Sequence, residues 1–239
     1  MFDLKQTIAQ AKFVTFMTGA GVSTASGIPD YRSKGGLYSA MARPEYALSA
    51  DNLRDHHQAF HDWVVANMFY PDARPNAIHE AMAAITNEKG AIVTQNVDGL
   101  HQQAGAEHVV EFHGNLYDIV CSKCDAHVPY QDYLKSDVHA ADGGRLRPNI
   151  VLYGEPIDPA VSAAAIRAVE AADLIVVVGT SFQVYPFAGL IRFARPGATL
   201  AAVNREPIEL PYGAHMVVGD ATDVFAGLRP GAGCTRRWP

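Results

Sequence analysis

Thr18-Gly19-Ala20-Gly21-Val22-Ser23-Thr24-Ala25-Ser26-Gly27-Ile28-Pro29-Asp30-Tyr31-Arg32-Ser33 follows directly on the apolar run Phe13-Val14-Thr15-Phe16-Met17. An apolar run that ends in small residues reads as a buried parallel strand feeding a turn and a helix N-terminus. Glycine there leaves the backbone amides open to the close approach of a pyrophosphate. The match to G-x-G-x-x-G is partial: the third glycine falls on Thr24, and no acidic residue is evident about 20 positions on. The stretch continues through Gly27-Ile28-Pro29-Asp30-Tyr31-Arg32, a proline-stiffened turn that carries an acid, an aromatic and an arginine. That is more chemistry than a phosphate cradle requires.

Outward from this stretch the chain alternates helix and strand. Residues 4–11 have the spacing of a short amphipathic helix, and residues 36–67 form an aromatic, histidine-bearing excursion expected to be helical. Pro75-Asn76 opens a helix through Ala84, Asn87 to Gly90 ends it, and Ala91-Ile92-Val93-Thr94 is a strand. A further helix is expected after Asp98, and Val109-Val110-Glu111-Phe112 reads as a short strand. Residues 116–149 break the alternation and read as a small inserted module, after which 148–155 returns to an apolar strand. A helix over 161–171 precedes the strongest strand signal, Leu174-Ile175-Val176-Val177-Val178, which ends in the small-residue turn Gly179-Thr180-Ser181. Residues 186–193 read as helix, 199–204 as strand, 216–220 as the last strand and turn, and the stretch after Leu228 as a poorly ordered end. The expected fold is α/β: a doubly wound, Rossmann-like parallel sheet with a smaller inserted module, and ligands at the carboxyl ends of its strands.

The composition narrows the function classes. The 239 residues are 49% hydrophobic and 18% charged, enough for a substantial core. A formal charge of −6 argues against a nucleic-acid binder working through a wide basic surface and favours a cationic peptide as partner. No run approaches the roughly 18 apolar residues of a membrane span. Met1-Phe2-Asp3-Leu4-Lys5 lacks a basic region followed by an apolar one, so a cytoplasmic placement is expected. The cysteines number three, too few for a disulfide framework. Cys121-Ser122-Lys123-Cys124 reads as metal ligands or a redox pair, and Cys234 as incidental.

Two more stretches stand directly after apolar segments: Thr94-Gln95-Asn96-Val97-Asp98-Gly99-Leu100-His101 and Glu111-Phe112-His113-Gly114-Asn115. Taken with 18–33 in this order, they resemble the sirtuin family of NAD-dependent protein-lysine deacylases, over nearly the whole chain. The resemblance implies NAD across the strand ends. Gly19, Ala20 and Gly21 would lie on its phosphates, with Ser23 and Thr24 beside them, and Gly179, Thr180, Ser181, Asn204 and Asp220 near its adenosine end. Gln95, Asn96, Val97 and Asp98 would face the nicotinamide ribose and carboxamide, and Asp30, Tyr31 and Arg32 would belong to the loop closing over the cofactor. Read alone, Asp98-Gly99 is equally a helix cap or turn, and Asn204 a turn residue.

By the same resemblance His113, with Asn96 and Asp98, carries catalysis. An imidazole titrates near neutrality and can take a proton from a ribose hydroxyl. The matching sirtuin histidine does so after nicotinamide has left and the acyl oxygen has attacked the anomeric carbon, so the implied products are free lysine, nicotinamide and O-acetyl-ADP-ribose. Val151-Leu152-Tyr153-Gly154-Glu155 resembles the segment that takes the acylated-lysine peptide as an added strand, with Val151, Tyr153, Gly154 and Glu155 as its contacts. An ordinary core strand is the other reading of that segment. Relatives that prefer succinyl or malonyl lysine carry a tyrosine and, three residues on, an arginine; His61 and Val64 stand there, so neutral acyl groups are expected.

The implied division is an NAD-binding domain of residues 1–35, 68–115 and 148–239, with 36–67 and a zinc-ribbon-like module of 116–147 forming a small domain. Zinc-bearing sirtuins have a second Cys-x-x-Cys where this chain has His139-Ala140-Ala141-Asp142. Either Cys121, Cys124, His139 and Asp142 hold a structural zinc, or the module is held by packing without a metal. Mono-ADP-ribosyl transfer to protein and non-catalytic NAD sensing are the alternatives to deacetylation.

Overall fold

A computed structural model describes residues 2–31, 36–37, 44–211 and 213–228. Arg32, Cys234 and the stretch after Leu228 lie outside the described residues. Among those described, nine strands form two sheets: β1 (Val14–Thr18), β2 (Gly90–Thr94), β3 (Val109–Glu111), β4 (Gly114–Cys121), β5 (His127–Val128), β6 (Leu146–Ile150), β7 (Leu174–Val178), β8 (Thr199–Asn204) and β9 (His215–Val218). The large sheet has the order β3-β2-β1-β7-β8-β9, and every pairing in it is parallel. Counted within that sheet alone the order is 3-2-1-4-5-6, so the direction of winding reverses between β1 and β7.

The strands of this sheet are apolar because both faces are covered. β1, β2 and β7 are buried at every position. Their side chains alternate between two cores: Val14, Phe16, Ile92 and Val176 pack with Leu4, Ile78, Met82 and Phe225, whereas Met17, Val93 and Val177 pack with Ala168, Val169 and Phe187. Helices Leu4–Gln10, Ala77–Lys89 and Ala221–Phe225 thus cover one face, and helix Pro159–Ala171 with the 3-10 segment Phe187–Phe193 covers the other. This is the doubly wound α/β fold expected from the alternation.

The helix opened by Pro75-Asn76 runs to Lys89, beyond the stop expected at Asn87. Asn87 turns its side chain outward to the neighbouring loop, donating to the Gly105 carbonyl at 2.8 Å and accepting the Glu107 N–H at 2.9 Å. The helix expected after Asp98 is a single turn, Leu100–Gln103.

The strand expected over 148–155 belongs elsewhere. Its ordered part, β6, pairs antiparallel with β4 in a second sheet of order β5-β4-β6 and leaves the ladder after Ile150. Leu146, Pro148 and Ile150 are buried while Arg147 and Asn149 are not, the alternation of a strand with one wet face. Pro148 has no N–H for a ladder, and β6 is an edge. Val151–Glu155 is therefore no core strand. A third core joins this small sheet to helix His57–Asn67 through Phe60, Val64, Leu116, Ile119, Tyr133 and Leu146.

Candidate functional site

Where β1, β2, β7 and β8 end, a cavity of about 1280 Å³ opens. Two glycine turns meet at its floor. The Gly19 N–H donates to the Val178 carbonyl at 3.1 Å and the Gly21 N–H to the Gly179 carbonyl at 2.8 Å. The turns touch backbone to backbone: a Cβ on Gly21 would lie 2.7 Å from Gly179 Cα, and Gly179 has φ +61°, in the left-handed region. Two strand ends without side chains thus leave a smooth cradle for a diphosphate.

Ala20, Gly21, Asp30 and Tyr31 line the cavity, and so do Gly179, Thr180 and Ser181. Gly19, Ser23 and Thr24 lie behind this lining, and the Thr24 hydroxyl donates to the Gly21 carbonyl at 3.0 Å. Asn204 and Asp220 line the β8 end. Asn204 donates to the Glu206 carbonyl at 3.1 Å, the turn contact that its position also allowed. Asp220 caps helix Ala221–Phe225, and the Thr222 N–H, with the Thr222 hydroxyl and Arg205, holds its carboxyl below the usual range against the opposing effect of burial.

Gln95, Asn96 and Val97 line the middle of the cavity. Asp98 sits behind them: Oδ1 accepts the Leu100 N–H at 2.9 Å, as a helix cap does, while Oδ2 accepts the Ser23 hydroxyl at 2.6 Å. Asn96 Nδ2 donates to the same Ser23 oxygen at 3.1 Å. Ser23 therefore joins Asn96 to Asp98.

Under this hub lie two buried histidines that the motifs did not single out. His79 is the third residue of its helix, where its Nδ1 accepts the Asn76 N–H at 3.3 Å in a capping box. That leaves the hydrogen on Nε2, which faces Ser23 Oγ at 3.4 Å. His101 Nε2 lies 3.0 Å from Thr18 Oγ1, and the Thr18 hydroxyl donates to Thr94 Oγ1 at 2.8 Å, so the His101 hydrogen is also on Nε2. The two rings stand 4.9 Å apart. Burial lowers the His79 pKa to about 4, only partly opposed by Asp98, and burial together with His79 holds His101 well below 6.5. Both are neutral at physiological pH. A histidine in place of the Glu or Gln usual at the third position of a capping box was the one local sign in the sequence.

His113 lies between β3 and β4 and lines the cavity. Its Nδ1 donates to the Gln95 carbonyl at 3.2 Å, which leaves Nε2 with its lone pair. Burial lowers its pKa, with the Gln95 carbonyl opposing the shift. The result is a neutral imidazole fixed as a base. Gln95 is itself held by Thr180, whose hydroxyl donates to Oε1 at 2.9 Å, so the second glycine turn and His113 share a support.

Val151, Tyr153, Gly154 and Glu155 line the cavity beside His113. The Val151 N–H donates to the His113 carbonyl at 2.9 Å, and Tyr153 donates to Leu48 O at 2.9 Å and accepts from Ala50 N at 3.0 Å. Among the described residues, no hydrogen bond uses the Val151 carbonyl or the Gly154 N–H. His61 and Val64 are buried and absent from the lining, which takes Met68 from the same segment; His61 Nε2 is bonded to the Tyr133 carbonyl at 2.7 Å.

The Sir2 family profile matches residues 19–186, more than half of the chain. The chain belongs to the Sir2 family. It is 50% identical over 224 residues to an NAD-dependent protein deacetylase of Lactiplantibacillus plantarum, covering 93% of this chain and 96% of that protein. A crystal structure of a Sir2 homologue with NAD superposes with a TM-score of 0.85 at 32% identity, covering 95% of this chain and 93% of the other. A Sir2 complex with deacetylated p53 peptide and 3'-O-acetyl-ADP-ribose gives a TM-score of 0.85 at 29% identity, covering 93% and 94%. The three motifs that carried the sirtuin resemblance all belong to this Sir2 cavity.

Away from the Sir2 cavity, the small sheet gathers Cys121, Cys124, His139 and Asp142, with one donor atom of each within 4.8 Å of the others. Cys121 Sγ is 3.6 Å from Asp142 Oδ1, Cys124 Sγ 3.6 Å from His139 Nδ1, and His139 Nδ1 3.0 Å from Asp142 Oδ1. The edges of a tetrahedron built on normal zinc bond lengths are about 3.3–3.8 Å; the two sulfur contacts at 3.6 Å fall in that range and the His139–Asp142 separation at 3.0 Å is shorter, while two thiols, an imidazole and a carboxylate are donor types that zinc takes. The Gly144 N–H and both thiols lower the Asp142 pKa to about 2, leaving it a carboxylate.

Proposed function

We propose that this chain is an NAD-dependent protein-lysine deacetylase that yields free lysine, nicotinamide and O-acetyl-ADP-ribose. One observation carries the reading: a neutral His113 with an unprotonated Nε2 shares a cavity with two glycine turns and with a backbone edge that has spare polar groups. NAD, when bound, supplies the electrophilic ribose. Ala20 and Gly21 take its phosphates, supported from behind by Gly19, Ser23 and Thr24, and Gly179, Thr180, Ser181, Asn204 and Asp220 take its adenosine end. Asn96 and Gln95, beside Val97, orient the carboxamide and ribose, and Asp98 acts by holding Ser23 and Asn96 in place. Asp30 and Tyr31, which line the cavity, contribute to closing over the cofactor.

His113 Nε2 accepts the ribose proton while its Nδ1–H keeps the Gln95 carbonyl. The low basicity imposed by burial makes the proton easy to return. The Val151 carbonyl and the Gly154 N–H pair with the peptide as an added strand, which tolerates varied sequences. Neutral acyl groups are preferred, since no arginine stands at His61 or Val64 and both side chains are buried away from the cavity lining.

The division proposed is an NAD-binding domain of residues 1–35, 68–115 and 148–239 and a small domain of 36–67 and 116–147; the third core supports a separate small unit, and because β4 and β6 cross the boundaries at 115/116 and 147/148 that unit takes in the ends of both strands. Zinc held by Cys121, Cys124, His139 and Asp142 would staple the small domain without touching the reaction. No helix among the described residues is long and apolar enough to cross a membrane, and with the formal charge of −6 this supports a cytoplasmic enzyme acting on protein substrates rather than nucleic acid. Mass spectrometry of an acetyl-lysine peptide incubated with the chain tests the reading. NAD-dependent loss of the acetyl group is expected; an intact peptide alongside ADP-ribosylated protein would establish the transferase instead, and NAD binding with no turnover the sensor.

A further inference from the structure

One guanidinium shapes the turn that follows β6. Arg147 Nη1 donates to Glu155 Oε1 at 2.5 Å, and Nη2 donates to Glu155 Oε2 at 2.9 Å and to the Ile150 carbonyl at 2.7 Å. Its Nε reaches the Pro148 carbonyl at 3.2 Å. Glu155 Oε2 also accepts the Leu152 N–H at 2.9 Å. Three donors therefore occupy the two carboxylate oxygens, and the side chains are only 21% and 25% exposed. A bidentate pair shielded in this way is both strong and directional. Burial pushes the Glu155 carboxyl up, but Arg147 and the Leu152 N–H outweigh it and hold the group below its usual range.

The pair bridges the two ends of the segment that carries the unused Val151 carbonyl and Gly154 N–H. The Val151 N–H is bonded to the His113 carbonyl, so the same segment is tied to the backbone of His113. Released from Arg147, Glu155 would free the Leu152 N–H and let residues 151–154 sample other conformations. A peptide would then have to order this edge as it bound.

We propose that Arg147 and Glu155 form a clamp that holds the Val151–Gly154 edge ready for the acyl-lysine peptide without touching the peptide, so that both are positioning residues. The proposal rests on the deacetylase reading for its substrate. It accounts for a carboxylate that lines the cavity yet has its oxygens turned to its own chain.

The test compares the full chain with Glu155→Gln and Arg147→Lys in steady-state deacetylation of an acetyl-lysine peptide at saturating NAD, alongside calorimetric NAD binding and amide hydrogen exchange at Leu152. Losing one charge-assisted pair should raise the peptide KM about tenfold or more, with kcat changing far less and the NAD Kd unaltered. The double variant should be no worse than the weaker single one. Leu152 exchange should quicken in both variants. Wild-type KM and wild-type Leu152 exchange in Glu155→Gln would overturn the clamp, as would a fall in kcat at unchanged KM. If the wild-type chain does not deacetylate at all, the deacetylase reading fails, and Leu152 exchange alone decides whether the clamp exists. If Arg147→Lys does not fold, Glu155→Gln carries the test.

Discussion

Lowering the pH from 8 to 5 should cost the folded chain about 2 kcal/mol through His79 alone. The folded pKa is depressed from 6.5 to about 4, so between these values the unfolded chain holds a proton that the folded chain does not. The stabilisation is fully present above 6.5 and is lost as the pH falls toward 4. At pH 5 the proton favours the unfolded ensemble about thirtyfold, which gives the 2 kcal/mol. The physical cause is burial, which disfavours the charged ring and is only partly opposed by Asp98; a proton on Nδ1 would also face the Asn76 N–H that this nitrogen now accepts. His101, 4.9 Å away and also depressed, adds loss of the same sign. Urea melts at pH 8, 6.5 and 5 on the wild type and on His79→Gln isolate the effect, because the remaining histidines and carboxylates titrate in both. The stability advantage of the wild type should shrink by about 2 kcal/mol across that range at constant m-value. Parallel pH profiles for the two proteins would refute the assignment of a buried, neutral His79.

Gly21→Ala drives a Cβ to 2.7 Å from Gly179 Cα, so it should destabilise the chain by about 1–3 kcal/mol and weaken NAD binding, read by thermal melts and calorimetry. The acid limb of kcat/KM should lie below 6.5, because burial lowers the His113 pKa and activity is lost only as that nitrogen is protonated; a limb above 6.5 would show the shift to run the other way. Elemental analysis should find one zinc per chain, lost on His139→Ala or Asp142→Ala, and chelation should lower the melting temperature with little effect on NAD binding.

The large sheet was legible because each of its central strands is a continuous apolar run, as in Leu174–Val178, and a parallel strand buried on both faces needs nothing else. The strand ends that open into the cavity were legible for the same reason: small residues follow the runs at Gly19 and Gly179. The segment 148–155 was harder, since an alternating edge strand and an irregular turn together make one apolar stretch; Pro148 marks the strand as an edge, and nothing in the sequence marks the join after Ile150. Asn87 and Asp98 show the ambiguity of side chains that cap turns: Asn87 was read as a helix stop and serves a neighbouring loop, while Asp98 caps its own turn and also binds Ser23. The His79–His101 pair could not be read, because its two members are joined only by the packing of helix Ala77–Lys89 over the ends of β1 and β2. Cys121, Cys124, His139 and Asp142 were visible in the spacing; the fold adds that one donor atom of each lies within 4.8 Å of the others.

The central claim is that His113 Nε2 removes a ribose proton after nicotinamide has left, and single-turnover mass spectrometry of His113→Ala with NAD and an acetyl-lysine peptide tests it most directly. The variant should bind NAD and exchange labelled nicotinamide, yet form O-acetyl-ADP-ribose at least about a hundredfold more slowly than the wild type, the size of a lost general base. Wild-type rates of O-acetyl-ADP-ribose formation in His113→Ala would contradict it.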